Sequence, residues 1–159
     1  MLFNFRKKIT PRSAKLLLNF YPPFILNRIK VQSISEDFTE VKVKIKKSIW
    51  NKNMAGTIFG GTLFSAADPF IAVMYWQIFS IRFHQKIIVW LKSAEIVYKK
   101  PADTDMFLYF KIDEAEILLA KKTLEEKGKH VSEYTVELKN KQNETCAIVK
   151  LNSYLGKPR

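Results

Sequence analysis

The sequence is poor in cysteine, histidine and glycine. It has one cysteine, Cys146, and two histidines in 159 residues, so an internal disulfide is impossible and a Cys/His zinc site lacks ligands. We predict no metal site and no cofactor. Residues 1–8 end in Arg6-Lys7-Lys8 and are followed by polar residues around Pro11, where a secretory signal would have an apolar core. These absences predict a cytoplasmic protein.

Acidic residues are also scarce, and the formal net charge is +12. The first acid along the chain is Glu36. Such a charge attracts nucleic acids, membrane surfaces and phosphate-bearing small molecules alike, although a basic solvated surface is the commonest outcome. A nucleic-acid-binding domain is one alternative, favoured by Phe107, Tyr109 and Phe110 beside lysines. Because no recognition motif accompanies them, we predict no nucleic-acid partner.

One apolar stretch, residues 54–81, is long enough to cross a bilayer. Three glycines, Asp68, Pro69 and Gln77 interrupt it, and the strands predicted elsewhere have apolar faces that need a core to cover them. We therefore predict a buried helix from Gly61 to about Ile78 and no stable membrane insertion.

Local patterns predict the elements on either side of this helix. Thr10-Pro11 is a typical helix start, and the proline pair at 22–23 predicts its end. Residues 41–46 alternate between aliphatic residues and lysine, as in a strand with one solvated face. The leucines and phenylalanines of the basic N-terminal helix need a partner, either an acyl pocket that the helix covers as a lid or an anionic lipid surface.

The second half of the chain predicts four strands and an inserted helix. Residues 87–100 and 106–112 are predicted to pair as a hairpin. Asp113 and Glu116 resemble a capping pair that starts a helix, and Gly128 ends it. Residues 133–151 predict a second hairpin.

This order predicts one α+β domain over residues 1–159, with a helical extension at 1–30 and a core at 31–155. An antiparallel sheet with one covered face and one apolar helix is most simply arranged with the sheet wrapped around that helix. This is the hotdog fold.

Glycines concentrate just before the predicted central helix. Three of the five lie here, at Gly56, Gly60 and Gly61, which indicates close approach of the backbone to a ligand. Asp68 is the one charged residue between Lys52 and Arg82. A carboxylate in so apolar a segment is costly unless it is paired, hydrogen-bonded or protonated.

Gly60-Gly61 followed by residues 63–68 resembles the signature of hotdog acyl-CoA thioesterases of the phenylacetyl-CoA type. In that family an asparagine stands seven residues before the first glycine and the catalytic acid eight after it, as Asn53 and Asp68 do here. The resemblance implies hydrolysis of an acyl-CoA or related thioester, with Asp68 as base or nucleophile and the glycine amides as an oxyanion hole. The candidate catalytic role of Asn53 is a hydrogen bond to the catalytic water or to the acid of a neighbouring subunit. It also implies a homodimer or homotetramer with active sites between subunits.

One position departs from the family pattern, because Phe59 stands where histidine is common. We predict that Phe59, Thr62 and Ser65 contact the substrate. Because of this departure, the alternative is a non-catalytic hotdog protein that binds acyl-CoA or a fatty acyl group. Each of the two polar residues also has a structural alternative. Asn53 serves only the glycine-rich turn. Asp68 is a buried group whose hydrogen bonds are satisfied by Asn53 or Ser65, beside a helix bent at Pro69.

Overall fold

The computed structural model describes residues 8–158, so most of the basic stretch 1–8 lies outside the described residues. These described residues fold into a six-stranded sheet with five helices and one 3-10 turn. In chain order these are α1 (Pro11–Asn19), α2 (Pro22–Asn27), β1 (Ile29–Ile34), β2 (Glu40–Ile45), the 3-10 turn (Ile49–Asn51), α3 (Gly60–Ser65), α4 (Phe70–Arg82), β3 (Ile88–Tyr98), β4 (Met106–Lys111), α5 (Glu114–Lys127), β5 (Lys129–Lys139) and β6 (Thr145–Gly156).

All neighbouring strands are antiparallel, in the order β1-β2-β4-β5-β6-β3. The predicted hairpin between β3 and β4 is therefore wrong, whereas the β5–β6 hairpin is confirmed. Strand length gives the reason. A pairing with the six-residue β4 would leave much of β3 unpaired, but the 12-residue β6 pairs with it from Ile88 to Tyr98. β3 thus lies at one edge of the sheet and β1 at the other.

The central helix is present and broken where the sequence predicts distortion. α3 and α4 are separated by residues 66–69, because Pro69 has no N–H to continue the helical ladder. α4 is apolar on nearly every side and packs with the inward-facing strand residues into one core; its buried members include Phe70, Ile71, Met74, Tyr75, Ile78 and Phe79. The hotdog prediction is confirmed, with α4 ending at Arg82 rather than near Ile78. Within residues 8–158 no helix combines the length and apolarity needed to span a membrane.

The N-terminal segment is packed against the body of the domain. α1 begins as predicted, with the Thr10 hydroxyl accepting the Ser13 N–H at 3.1 Å. Asn19 fastens the end of α1 to β1, since its amide accepts the Val31 N–H at 2.7 Å and donates to the Val31 carbonyl at 3.2 Å. α1 ends at Asn19, just before the proline pair at 22–23, as predicted; a second short helix, α2, then begins at Pro22, because the first helical position needs no N–H.

The inserted helix α5 ends at Gly128, whose φ of 71° is the left-handed conformation typical of a helix C-cap. Its predicted capping pair is wrong. Asp113 precedes the helix without a side-chain capping bond and instead pairs with Lys111 at 3.1 Å. The Glu116 carboxylate instead contacts side chains of β5, as described below.

Candidate active site

The segment before α3 is shaped by a tight turn over residues 53–57. Gly56 adopts a φ of 81°, which favours glycine. The Asn53 side chain closes the turn: its Oδ1 accepts the Thr57 N–H at 3.0 Å, and its Nδ2 donates to the Thr57 hydroxyl at 2.9 Å. Asn53 therefore performs the turn chemistry weighed above, and its catalytic role stays a prediction.

Two backbone hydrogen bonds then fix the start of α3. The Ile58 N–H donates to the Ala102 carbonyl and the Phe59 N–H to the Asn51 carbonyl, both at 2.8 Å. The helix begins directly afterwards, so the amides of Gly60 and Gly61 occupy its first two positions and have no carbonyl within the helix to bond to. These amides provide the positive end of the local dipole and a pair of candidate hydrogen-bond donors.

Aromatic rings lie directly against both glycines. A Cβ at Gly60 would stand 2.8 Å from the Tyr98 hydroxyl oxygen and 3.0 Å from Cζ of the same ring. A Cβ at Gly61 would overlap the Phe59 ring. The glycines therefore permit close packing of Tyr98 and Phe59 over the helix start. Sequence reasoning missed Tyr98, whose only signal is an aromatic residue at the end of a long strand.

Asp68 lies just beyond α3, beside the break at Pro69. The residue is exposed in the single chain, and within residues 8–158 no group donates a hydrogen bond to its carboxylate. Protein atoms around it nevertheless raise its pKa through desolvation. The alternative of a carboxylate held by Asn53 or Ser65 is wrong, because Asn53 bonds to Thr57 and the Ser65 hydroxyl donates to the Gly61 carbonyl at 2.8 Å.

Thr62 lies on the inner side of α3. It is 1% exposed, and its hydroxyl donates to Asn27 Oδ1 at 2.7 Å. The buried Asn51 joins the same network by donating to the Asn27 carbonyl at 2.9 Å. Thr62 thus ties α2 to the helix start and has almost no surface for a substrate in the single chain, whereas Phe59 is 56% exposed and Ser65 is half-buried.

A second polar cluster, not foreseen from the sequence, joins α5 to the sheet and to α4. Glu116 Oε1 lies 3.0 Å from His130 Nε2, accepts the Ser132 hydroxyl, and lies 3.5 Å from the hydroxyls of Tyr75 and Tyr134. Burial raises the pKa of both tyrosines, that of Tyr134 to about 12. One imidazole nitrogen contacts both Ser132 and Glu116, so this is not a serine–histidine–acid relay, which uses both ring nitrogens.

The described part of the chain, residues 8–158, holds no group of three or more His, Cys, Asp or Glu side chains placed to bind a metal. The start of α3 presents backbone amides and the Tyr98 hydroxyl, and the Asp68 carboxylate lies beyond the other end of this helix.

Comparisons with known proteins agree on the fold. A family model described as a domain of unknown function, DUF4442, matches residues 12–155. No curated protein matches the sequence. Among solved structures, PA5026 of Pseudomonas aeruginosa, described as a protein of unknown function and probable thioesterase, superposes with a TM-score of 0.83 at 17% identity, covering 96% of this chain and 99% of that one.

Two further solved structures share this fold. The E. coli PaaI protein of the phenylacetic acid degradation operon has a TM-score of 0.64 at 17% identity, with 93% of this chain and 92% of that one covered. Zebrafish thioesterase superfamily member 2 has a TM-score of 0.61 at 18% identity, with 94% and 100% covered. At these identities the similarity establishes the shared hotdog fold.

Proposed function

The chain belongs to the DUF4442 family of unknown function, and we propose that it hydrolyses an acyl-CoA or a related thioester. The observation that carries the proposal is the start of α3. Within residues 8–158 the Gly60 and Gly61 amides at the start of this short helix donate to no acceptor, and the Asp68 carboxylate beyond its end has no hydrogen-bond donor and a raised pKa. Proteins described as thioesterases share the surrounding fold.

In the proposed reaction, the thioester carbonyl oxygen accepts hydrogen bonds from the Gly60 and Gly61 amides. Within one chain Asp68 follows Gly60 by eight residues, a span of about 12 Å along a helix, so we assign the base to the partner's Asp68 in the dimer proposed below. This carboxylate removes a proton from a water molecule, and the resulting hydroxide attacks the carbonyl carbon. The amides stabilise the negative charge that forms on the carbonyl oxygen. The carbon–sulfur bond then breaks, and the coenzyme A thiolate takes up the proton held by Asp68. A raised pKa suits this role, because a more basic carboxylate accepts the proton more readily.

An attack by Asp68 itself is the second form of the same proposal. The carboxylate then forms an anhydride with the acyl group and releases the thiolate, and water hydrolyses the anhydride. Solvent labelled with ¹⁸O separates the two forms in a single turnover, since only the anhydride route transfers an unlabelled oxygen from Asp68 to the acid when the anhydride is opened at the aspartyl carbon.

Tyr98 supplies the polar side chain that Phe59 does not. In the family that the sequence resembles, histidine is common at the position of Phe59. Here the Tyr98 hydroxyl lies over Gly60, and 53% of the Tyr98 surface is exposed. We assign the hydroxyl a role as an additional donor to the substrate, and the Phe59 ring a role as an apolar contact beside it.

The proposal includes a dimer formed along β3. This edge strand has 11 residues and exposes Trp90, Val97 and Tyr98. An exposed, apolar sheet edge is a surface for pairing with a second strand. A partner there would cover Tyr98 close to the helix start and remove further water from the site. Light scattering after gel filtration tests this, with a Val97→Lys variant expected to shift the mass towards the monomer.

The second candidate function is binding of an acyl-CoA or fatty acyl group without turnover, and Phe59 in the histidine position is the observation in its favour. Thiol release from short-chain, medium-chain, long-chain and aryl acyl-CoAs, measured beside equilibrium binding of the same compounds, separates the two. Turnover that saturates with substrate supports the thioesterase. Binding without thiol release by a folded protein would contradict it and favour the alternative.

A further inference from the structure

The outer face of α1 and α2 is exposed and apolar. α1 packs on the sheet through Ala14 and Leu18, which leaves Leu16 58% and Phe20 64% exposed. α2 buries Phe24 but leaves Ile25 46% and Leu26 63% exposed. A folded domain rarely leaves so many large apolar side chains together in water without a partner.

The same face is basic. Arg12, Lys15 and Arg28 lie on or directly after these helices, and the sequence has no acid before Glu36. In the described part of the chain none of these three cations forms an ion pair. Their charge is therefore available to an anionic partner.

Other exposed leucines lie in different electrostatic surroundings. Leu118 and Leu119 on α5 are each 52% exposed. Their helix carries four glutamates at positions 114, 116, 125 and 126 beside its lysines. The combination of exposed apolar side chains with uncompensated positive charge is thus a property of α1 and α2 and not of α5.

We propose that this N-terminal face docks on the surface of an anionic lipid bilayer. The face consists of the apolar Leu16, Phe20, Ile25 and Leu26 with the cations Arg12, Lys15 and Arg28. Apolar side chains on a basic helical surface enter the boundary between head groups and acyl chains, and the cations are attracted to anionic lipids. The helices lie on the bilayer and do not cross it.

The neighbouring 3-10 turn extends this face. Asn51 joins the turn to α2 through its 2.9 Å hydrogen bond to the Asn27 carbonyl. The turn exposes Ile49 to 82% and Trp50 to 74%, and no acid occurs between Glu40 and Asp68. Tryptophan is favoured at the membrane–water interface, where its ring is partly buried.

The position of the face favours a bilayer over a second copy of the chain. α1 packs on β1, at the edge of the sheet opposite β3. A dimer joined along β3 leaves this edge outside the interface. The Thr62–Asn27 hydrogen bond also places α2 beside the start of α3. Docking through α2 would therefore hold the candidate site near a surface that dissolves long acyl chains, although the docking itself does not depend on the proposed activity.

Co-sedimentation of the full chain with vesicles tests the proposal, using phosphatidylcholine alone or mixed with phosphatidylserine. We expect binding to the mixed vesicles, weakened by salt, and little binding to the neutral ones. The double variant Phe20→Ser/Leu26→Ser removes apolar contacts, and Arg12→Gln/Arg28→Gln removes charge. Each is expected to lower the partition coefficient by at least about tenfold.

Variants of α5 provide matched controls. Leu118→Ser/Leu119→Ser and Lys122→Gln/Lys127→Gln are expected to bind vesicles like the unmodified chain. Circular dichroism checks that every variant folds, and light scattering reports its mass. Absence of binding to mixed vesicles, or an equal loss in the α5 controls, would overturn the proposal. A fall in oligomer mass in Phe20→Ser/Leu26→Ser would also overturn it, because the face would then be an interface between copies.

Discussion

Replacing Gly60 by alanine tests whether the glycine is needed for its backbone conformation or for the close packing of Tyr98. The backbone of Gly60 does not lie in the left-handed region, so alanine fits its conformation. Its added Cβ, however, would lie 2.8 Å from the Tyr98 hydroxyl oxygen and 3.0 Å from Cζ, where ordinary contacts between such atoms are about 3.5 Å or longer. The ring must therefore move by roughly half an ångström or more.

The structure predicts that this movement costs little stability. Tyr98 is the last residue of an edge strand and is 53% exposed, so its ring can turn towards solvent. Alanine is preferred over glycine in helices by about 0.5–1 kcal/mol, which offsets the displacement of the ring. We expect the free energy of unfolding of Gly60→Ala to stay within about 1 kcal/mol of that of the unmodified chain.

We expect the kcat/KM of Gly60→Ala to fall far more than its stability. The methyl group would stand beside the proposed oxyanion donors and push the Tyr98 hydroxyl away from the substrate. Loss of one well-placed donor in such a site lowers the rate by about a hundredfold to a thousandfold, and partial displacement should cost at least about tenfold in kcat/KM. Thiol release from the best acyl-CoA substrate, beside urea unfolding of the same preparation, measures both quantities.

Gly56→Ala is the matched control. A Cβ at Gly56 would have no atom within 4 Å, but its φ of 81° strains any L-residue. This variant should lose about 1 kcal/mol of stability and retain its activity per folded molecule. Full activity in Gly60→Ala, or a loss of stability in Gly60→Ala that explains its loss of activity, would refute the assignment of Gly60 to close packing at the site.

Three further predictions concern neighbouring groups. Tyr98→Phe should keep its stability and lose at least about tenfold in kcat/KM; an unchanged value would remove the hydroxyl from the mechanism. Because the raised pKa of Asp68 disfavours its charged form, the stability that protonation provides is lost as the pH rises through that pKa, so Asp68→Asn should be more stable than the unmodified chain at neutral pH. The difference should vanish as the pH falls towards the ordinary Asp value of about 4, and an Asn variant less stable at neutral pH would argue against it. Glu116→Ala should lose about 1–3 kcal/mol in urea unfolding, because the buried Ser132 and His130 lose their acceptor, and a neutral result would mean that water replaces it.

The sequence was informative wherever a pattern is local. The Thr10-Pro11 helix start, the alternating residues of β2 and the break at Pro69 depend on neighbours along the chain, and each was predicted correctly. The placement of β3 was not, because pairing with β6 depends on the lengths and registers of distant strands. β3 and β4 follow one another in the sequence but do not pair, unlike β1 with β2 and β5 with β6.

The candidate site shows the same division. The glycine pair and Asp68 were found from their spacing, but Tyr98 comes from a strand nearly 40 residues away in sequence and reaches Gly60 only through the fold. The environment of Asp68 was also only partly foreseen. The apolar segment predicts a carboxylate that is costly to charge, in agreement with its raised pKa, yet Asp68 is exposed beside the break between α3 and α4.

The interpretation of Glu116 failed for a related reason. Its spacing from Asp113 is that of a capping pair, which is a local motif. In the folded chain the Glu116 carboxylate instead contacts three hydroxyls and an imidazole from α4 and β5. A tertiary cluster of hydrogen bonds therefore outweighs one local cap.

The most direct test of the account is the rate of acyl-CoA hydrolysis by Asp68→Asn relative to the unmodified chain, with Asp103→Asn as the control at another exposed aspartate. Removal of a general base should lower kcat by about a hundredfold to ten-thousandfold, while Asp103→Asn stays unchanged. Folded Asp68→Asn protein with an undiminished kcat would contradict the claim that this carboxylate carries the reaction.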